Sequence, residues 1–182
     1  MKYPFLPKSN RHLKAGQFWP VPLADGRYAC GRVIDVMPPE ETDLHVPNLG
    51  TRSFLAGLMD WVGENPPADR DLEGALLIDQ GVAHIGAIAV GGSCILGERP
   101  LQADGISPLL WVTPMSLGDR TRYLYQGFRR VREADPTECT PYFGLSAWSK
   151  PYLQARANLR FVDGQLPADD YQTYAPFGPD SA

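Results

Sequence analysis

The sequence predicts an α+β fold: one domain with a strongly bent, mostly antiparallel sheet, a partial barrel opened by an N-terminal hairpin and covered by one or two helices. Three observations carry this expectation. Gly16 to Val36 holds two runs rich in aromatic and β-branched residues on either side of Asp25-Gly26, whose glycine tolerates positive φ, so the segment should fold back as an antiparallel hairpin. From Gly74 onward, short apolar runs are broken by Gly81, Gly86, Gly91, Gly92 and Gly97, which cost helix stability and favour short, curling strands. Between them, Phe54, Leu55, Leu58, Met59, Trp61 and Val62 recur at helical spacing, which predicts a helix from about Ser53 to Glu64 lying on the sheet.

Taken in order, residues 1–13 form an extended basic lead-in with two prolines, residues 14–163 the domain, and residues 164–182 a proline-punctuated acidic tail. In the hairpin, Trp19, Val21 and Leu23 share one face, and Tyr28, Cys30, Ile34 and Val36 share another that Arg32 interrupts. Pro20 and Pro22 have no N–H to give a ladder, so this strand is an edge or turns those positions away from a partner, and such an edge is a place for another chain to dock. Pro38 to Asp43 reads as a polar loop; Thr51 or Ser53 can cap the expected helix, and Asn65-Pro66-Pro67 ends it. Strands are expected at Ala75 to Ile78, Val82 to Val90 (or a short helix there), Cys94 to Leu96, Leu109 to Thr113 and Arg122 to Arg132, the last two separated by a turn around Ser116 to Asp119. A final helix between Gly144 and Leu159 contains Pro151, and a short strand at Arg160 to Val162 leads to the Asp163-Gly164 turn. Trp19, Leu23, Phe54, Leu58, Trp61, Leu77, Ile78 and Val112 should be largely buried.

Composition bounds the class. With 182 residues, 43% hydrophobic and 21% charged, the chain can bury one good core and does not resemble a disordered one. No apolar run approaches the ~20 residues of a membrane span. Pro4, Pro7, Lys8, Arg11 and Lys14 interrupt the stretch where a secretory signal would be apolar, so the expected location is the cytoplasm. Cys30, Cys94 and Cys139 are odd in number and widely spaced, which points to free thiols and to neither a disulfide framework nor a zinc site. A net charge of −4 is too small to mark a dedicated polyanion binder.

Catalytic constellations are hard to assemble, and the expectation is a protein that is not an enzyme and needs no cofactor. Asp43-Leu44-His45 lacks a second cluster to complete a metal site. His84, among apolar residues, reads as a core histidine with one backbone partner, and His12 belongs to the basic lead-in. Gly92-Ser93-Cys94-Ile95-Leu96 lacks the spacing of a nucleophile elbow. Gly26 and Gly31 have P-loop separation, but Arg32-Val33 follows where Lys and Ser or Thr are required. One binding pattern stands out: Arg120, Arg122, Arg129, Arg130 and Arg132 interleave with Tyr123, Tyr125 and Phe128, a way to hold single-stranded nucleic acid. The competing reading packs the rings on the core and turns the arginines to water, and the negative net charge favours it.

The hairpin resembles the immunity protein 26 family of bacterial polymorphic toxin systems. The shared positions are Gly16, Trp19, Val21-Pro22-Leu23, Asp25-Gly26, Tyr28, Ala29, Gly31 and Val33, with a second likeness at His84 to Leu101 ending in Ile95-Leu96-Gly97-Glu98-Arg99-Pro100-Leu101. Gln17 stands where the family pattern has an acid, Trp19 where it more often has Phe, and Ser53 to Glu64 has no counterpart. The resemblance implies a cytoplasmic protein of mainly β or α+β structure that binds a cognate toxin domain stoichiometrically and occludes it. The expected partner-binding residues are polar ones beside the hairpin: Asp25 and Arg27 at the turn, and Glu40, Glu41 and Asp43 in the loop after the second strand. The alternative is a nucleic-acid-binding module using Arg122, Tyr123, Tyr125, Arg129 and Arg130.

Overall fold

The computed structural model describes residues 2–37, 52–113, 121–139 and 145–165. Its regular elements are β1 (Gln17–Pro22), β2 (Tyr28–Asp35), β3 (Ser53–Gly63), β4 (Leu77–His84), β5 (Gly97–Glu98), β6 (Leu110–Val112), β7 (Tyr123–Gln126), β8 (Arg129–Glu133), β9 (Ala147–Trp148) and α1 (Tyr152–Phe161), with 3-10 turns between them. The fold is α+β. A six-stranded sheet runs β5-β1-β2-β3-β4-β9, antiparallel except for the parallel β4–β9 pair, and a second sheet runs β6-β7-β8. Shifts of register in β2 and β3, next to Ala29, Val33 and Leu58, mark bulges, which bend the large sheet without closing it.

The expected hairpin is present, with Trp19 opposite Gly31 and Pro22 opposite Tyr28. Gly26, at φ 88°, closes the turn, where Leu23 N donates to Arg27 O at 2.8 Å. β5 covers β1 only at Gln17 and Phe18. Beyond them the edge is not bare: Pro22 O accepts from Gln154 Nε2 of α1 at 2.8 Å, and Gly91 lies against the Pro22 ring.

The expected Ser53 to Glu64 helix is instead β3, paired on both sides by β2 and β4. Phe54, Ala56 and Leu58 pack in one apolar cluster with Trp19, Val33 and α1 residues Leu153 and Ala157. Leu55 and Met59 pack in another, with Ile34, Trp111, Tyr125 and Phe128. A strand buried on both faces loses the apolar–polar alternation that identifies strands, and its continuous apolar run then mimics helical spacing. Large sheet, α1 on one face and small sheet on the other therefore make three layers around two apolar cores.

Three other boundaries move for local reasons. Arg160 to Val162 is not a strand; Arg160 and Phe161 are the last turn of α1. Pro151 stands immediately before the helix, where a missing N–H is harmless, so it starts the helix that the sequence suggested it would flaw. Arg122 to Arg132 is two strands, because Gly127 at φ 57° turns the chain. Ala75 to Ile78 and the start of Val82 to Val90 merge into β4 through Gly81, and the remainder forms 3-10 turns. Trp19, Leu23, Phe54, Leu58, Ile78 and Val112 are buried as expected, while Trp61 and Leu77 are only partly so. The lead-in is tied to the core: Phe5 and Ile95 exchange backbone hydrogen bonds of 3.1 and 2.9 Å.

Two mid-strand glycines make room for tryptophans. A Cβ on Gly31 would overlap the Trp19 ring, and one on Gly81 the Trp148 ring. Gly31→Ala should therefore destabilise by about 1–3 kcal/mol through overpacking. A rise in the urea midpoint, the usual result where alanine fits, would show that Trp19 does not lie on this glycine.

Candidate functional site

The two described residues of the expected partner surface, Asp25 and Arg27, are brought together by the hairpin turn, but largely to hold one another. Arg27 Nε donates to Asp25 Oδ2 at 2.7 Å, and the guanidinium holds the Asp25 carboxyl below the usual carboxylate range. Arg27 Nη2 also donates to Phe161 O at 2.8 Å, while Ala24 N donates to Asn158 Oδ1 at 2.8 Å. The turn is thus fastened to the C-terminal end of α1, where a cation is favoured. Glu40, Glu41 and Asp43, like His45, lie outside the described residues.

The Arg and aromatic pattern separates into distinct roles. Tyr125 is buried and stacked on Trp111 at 4.7 Å, and Phe128 is fully buried. The Arg130 guanidinium lies 4.4 Å from the centre of the Tyr123 ring. Arg129, Arg130, Val131, Arg132 and Glu133 are all exposed on β8. Arg132 pairs with Glu138, Nη2 to Oε1 at 2.6 Å and Nη1 to Oε2 at 2.8 Å. Arg122 and Arg129 make no salt bridge among the described residues.

His84 is only partly buried and so is not the core histidine expected, but its Nδ1 does accept from a backbone group, Gly86 N at 2.9 Å. Burial, then the cations Lys150 and Arg52, lower its pKa, and among the described residues its side chain makes no salt bridge to a carboxylate that would orient it as a base. Burial pushes the Cys30 thiol up and keeps it unreactive. Among the described residues, no three His, Cys, Asp or Glu side chains are grouped to hold a metal ion, and no helix is long and apolar enough to cross a membrane.

Sequence reasoning noticed Arg32 only as an interruption, yet it is the most constrained polar group here. Its side chain and that of Asp104 are fully buried, with Nη1 and Oδ2 2.6 Å apart. Arg32 Nη2 donates to Arg99 O at 2.7 Å and Pro100 O at 3.3 Å. Asp104 Oδ1 also accepts from Arg99 Nε at 2.9 Å, and Arg99 reaches Asp69 at 3.4 Å. Gly16, at φ 93°, lies against the Arg99 carbonyl, leaving no room for a Cβ, and Arg99 N donates to Gly16 O at 3.0 Å. The only sequence signal was a cation at an apolar position of a strand. Its acidic partner lies 72 positions away.

Gln17, which replaces an expected acid, is fully buried. Its Oε1 accepts from Lys14 N at 3.0 Å while its Nε2 donates to Tyr3 Oη at 3.3 Å. Tyr3 gives its one hydroxyl proton to Glu98 Oε2 at 2.7 Å, so position 17 must donate to the Tyr3 oxygen while accepting from Lys14 N, which an amide can do and an ionised carboxylate cannot. No protein-family model, curated protein or solved structure matches this chain.

Two measurements probe this architecture. Asp104→Ala leaves a buried guanidinium without its counter-ion and should cost about 3–5 kcal/mol in urea unfolding, whereas Arg32→Met with Asp104→Leu should cost less. An exposed pair would instead lose under about 1 kcal/mol. The second uses Asp35, whose carboxyl burial raises, against hydrogen bonds from Phe128 N and Val36 N and the charge of Arg129. Because its folded pKa lies above the unfolded value of about 3.9, its favourable contribution is complete below that value and is lost as pH rises through the folded pKa. Unfolding titrations from pH 7 to 4 should therefore show wild type gaining stability relative to Asp35→Asn; a gap that is constant or moves the other way would remove burial as the dominant influence.

Proposed function

We propose that this protein is an immunity-type binding protein that neutralises a cognate bacterial toxin domain by stoichiometric occlusion, with no catalysis of its own. The observation that carries the reading is the adjacency of the two stretches behind the family resemblance. Gln17 pairs with Glu98 and Phe18 with Gly97, and the Arg32 guanidinium binds the carbonyls of Arg99 and Pro100. Two likenesses far apart in sequence thus form one structural unit, as a shared scaffold would. The shared residues are mostly internal: Trp19, Val21, Leu23, Ala29, Gly31 and Val33 are buried. Recognition of a particular toxin then falls to variable surface around them.

With Asp25 and Arg27 engaged by each other and by α1, the recognising surface is assigned chiefly to Glu40, Glu41 and Asp43. If the toxin is a nuclease, these three carboxylates mimic phosphates and speed encounter with its basic substrate site. The alternative, a nucleic-acid-binding strand, retains the exposed Arg129 and Arg130 but loses Tyr125 to the core and one face of Tyr123 to Arg130.

Co-expression with the product of the adjacent toxin gene should yield a one-to-one complex and protect cells. Glu40→Lys with Glu41→Lys and Asp43→Lys should weaken it by more than about tenfold, as charge reversal at a complementary interface does. Failure of the wild type to bind or protect removes the immunity reading, and unchanged binding by the triple variant removes only this surface. Oligonucleotide binding that falls steeply with salt, with no toxin complex, would favour the alternative.

A further inference from the structure

β8 is the outer strand of the small sheet, and among the described residues it pairs only with β7. Every residue along it is exposed, Val131 by 54%. The strand is nevertheless firmly held. At the turn before it Phe128 is buried, Phe128 N donates to Asp35 Oδ2 at 2.9 Å, and Trp111 Nε1 donates to Gly127 O at 2.6 Å. Among the described residues it is therefore an anchored strand with one neighbouring strand, and it carries exposed cations.

We propose that β8 is a docking edge for an extended, acidic segment of a protein partner, which adds to the small sheet as a further strand. Main-chain hydrogen bonds supply affinity in this mode and side chains supply selectivity. Arg129 and Arg130 are the selective groups: Arg129 makes no salt bridge among the described residues, although its charge is felt at Asp35, and the Arg130 guanidinium lies 4.4 Å from the centre of the Tyr123 ring. Arginine forks match carboxylates in two-point geometry.

Charge also decides between occupants. A second copy of β8 would set two strands of three arginines and one glutamate each, both net positive, against each other, a repulsion by which sheet edges avoid self-pairing. A nucleic acid finds matching charge but poor stacking, because Tyr125 is buried against Trp111 and the Tyr123 ring is covered on one face by Arg130. An acidic strand suits both the strand edge and the cations. Such a partner need not be a toxin.

The experiment uses the full chain and a fluorescein-labelled nonapeptide of alternating Glu and Val, followed by fluorescence anisotropy at low salt. Three further probes are the same peptide N-methylated at three consecutive central residues, which retains charge but blocks pairing on either edge, its Lys-Val counterpart, and an oligo-dT strand. The acidic peptide should bind, the Lys-Val peptide should not, and N-methylation or Arg129→Glu with Arg130→Glu should each weaken binding by about tenfold or more, the scale of one charge-assisted hydrogen bond. No binding of the acidic peptide, equal binding of the N-methylated one, or tighter binding of oligo-dT would overturn the proposal. Should the double variant fail to fold by circular dichroism, the peptide and oligonucleotide arms with wild type decide alone.

Discussion

A guanidinium sealed from water must draw its partners from the chain, and Arg32 imposes that requirement at the middle of β2. Its two Nη groups are met by the carbonyls of Arg99 and Pro100 and by the carboxylate of Asp104, while its buried Nε has no hydrogen-bond partner among the described residues. The segment from Gly97 to Asp104 is thereby drawn onto the hairpin, where it supplies β5 and the close approach of Gly16 to the Arg99 carbonyl. A buried ion pair is weak evidence of net stability, because desolvation offsets most of its attraction. Its strength here is directional: one arrangement of the segment satisfies the charge, and a shifted one leaves a cation in the core.

Burial on both faces is the second constraint and explains why this sheet is rich in glycine. Trp19 and Trp148 each lie over a strand glycine, and Gly57 faces Ile34 and Leu77. Side chains of that size fit between packed layers only where a neighbour gives up its Cβ. Trp19 further meets Phe54 edge to face, with ring centres 5.7 Å apart, so the hairpin and β3 are locked by one contact. α1 closes the same face, and the pairs Arg156–Asp79 and Arg160–Asp60, at 2.6 and 3.3 Å, set its position across the strands.

Charge at the surface divides between groups used by the fold and groups that the fold leaves exposed. Asp25 and Arg27 belong to the first kind, for they fasten the hairpin turn to the end of α1. Arg129 and Arg130 belong to the second, exposed on a strand whose anchoring lies elsewhere, in Phe128 and Trp111. A binding function needs this combination of a rigid scaffold and chemically distinctive exposed groups, and the Arg32 unit provides the rigidity for the hairpin half of the molecule.

The sequence by itself determined what depends on near neighbours. The Gly16 to Val36 hairpin, its Asp25-Gly26 turn, the antiparallel α+β character and the burial of Trp19, Phe54 and Leu58 all follow from residue type and local spacing. Tertiary structure alone decided the rest. Ser53 to Gly63 reads as helical until two flanking strands and two cores are present, since burial on both faces erases the period-two signal. Whether Arg129 and Tyr125, four residues apart, face water or core depends on the Gly127 turn and on Trp111 in another strand. The pairing of Arg32 with Asp104 depends on a contact that no local pattern encodes, because what fixes it is the cost of leaving a charge unpaired once water is excluded, and only the folded chain brings the two groups together.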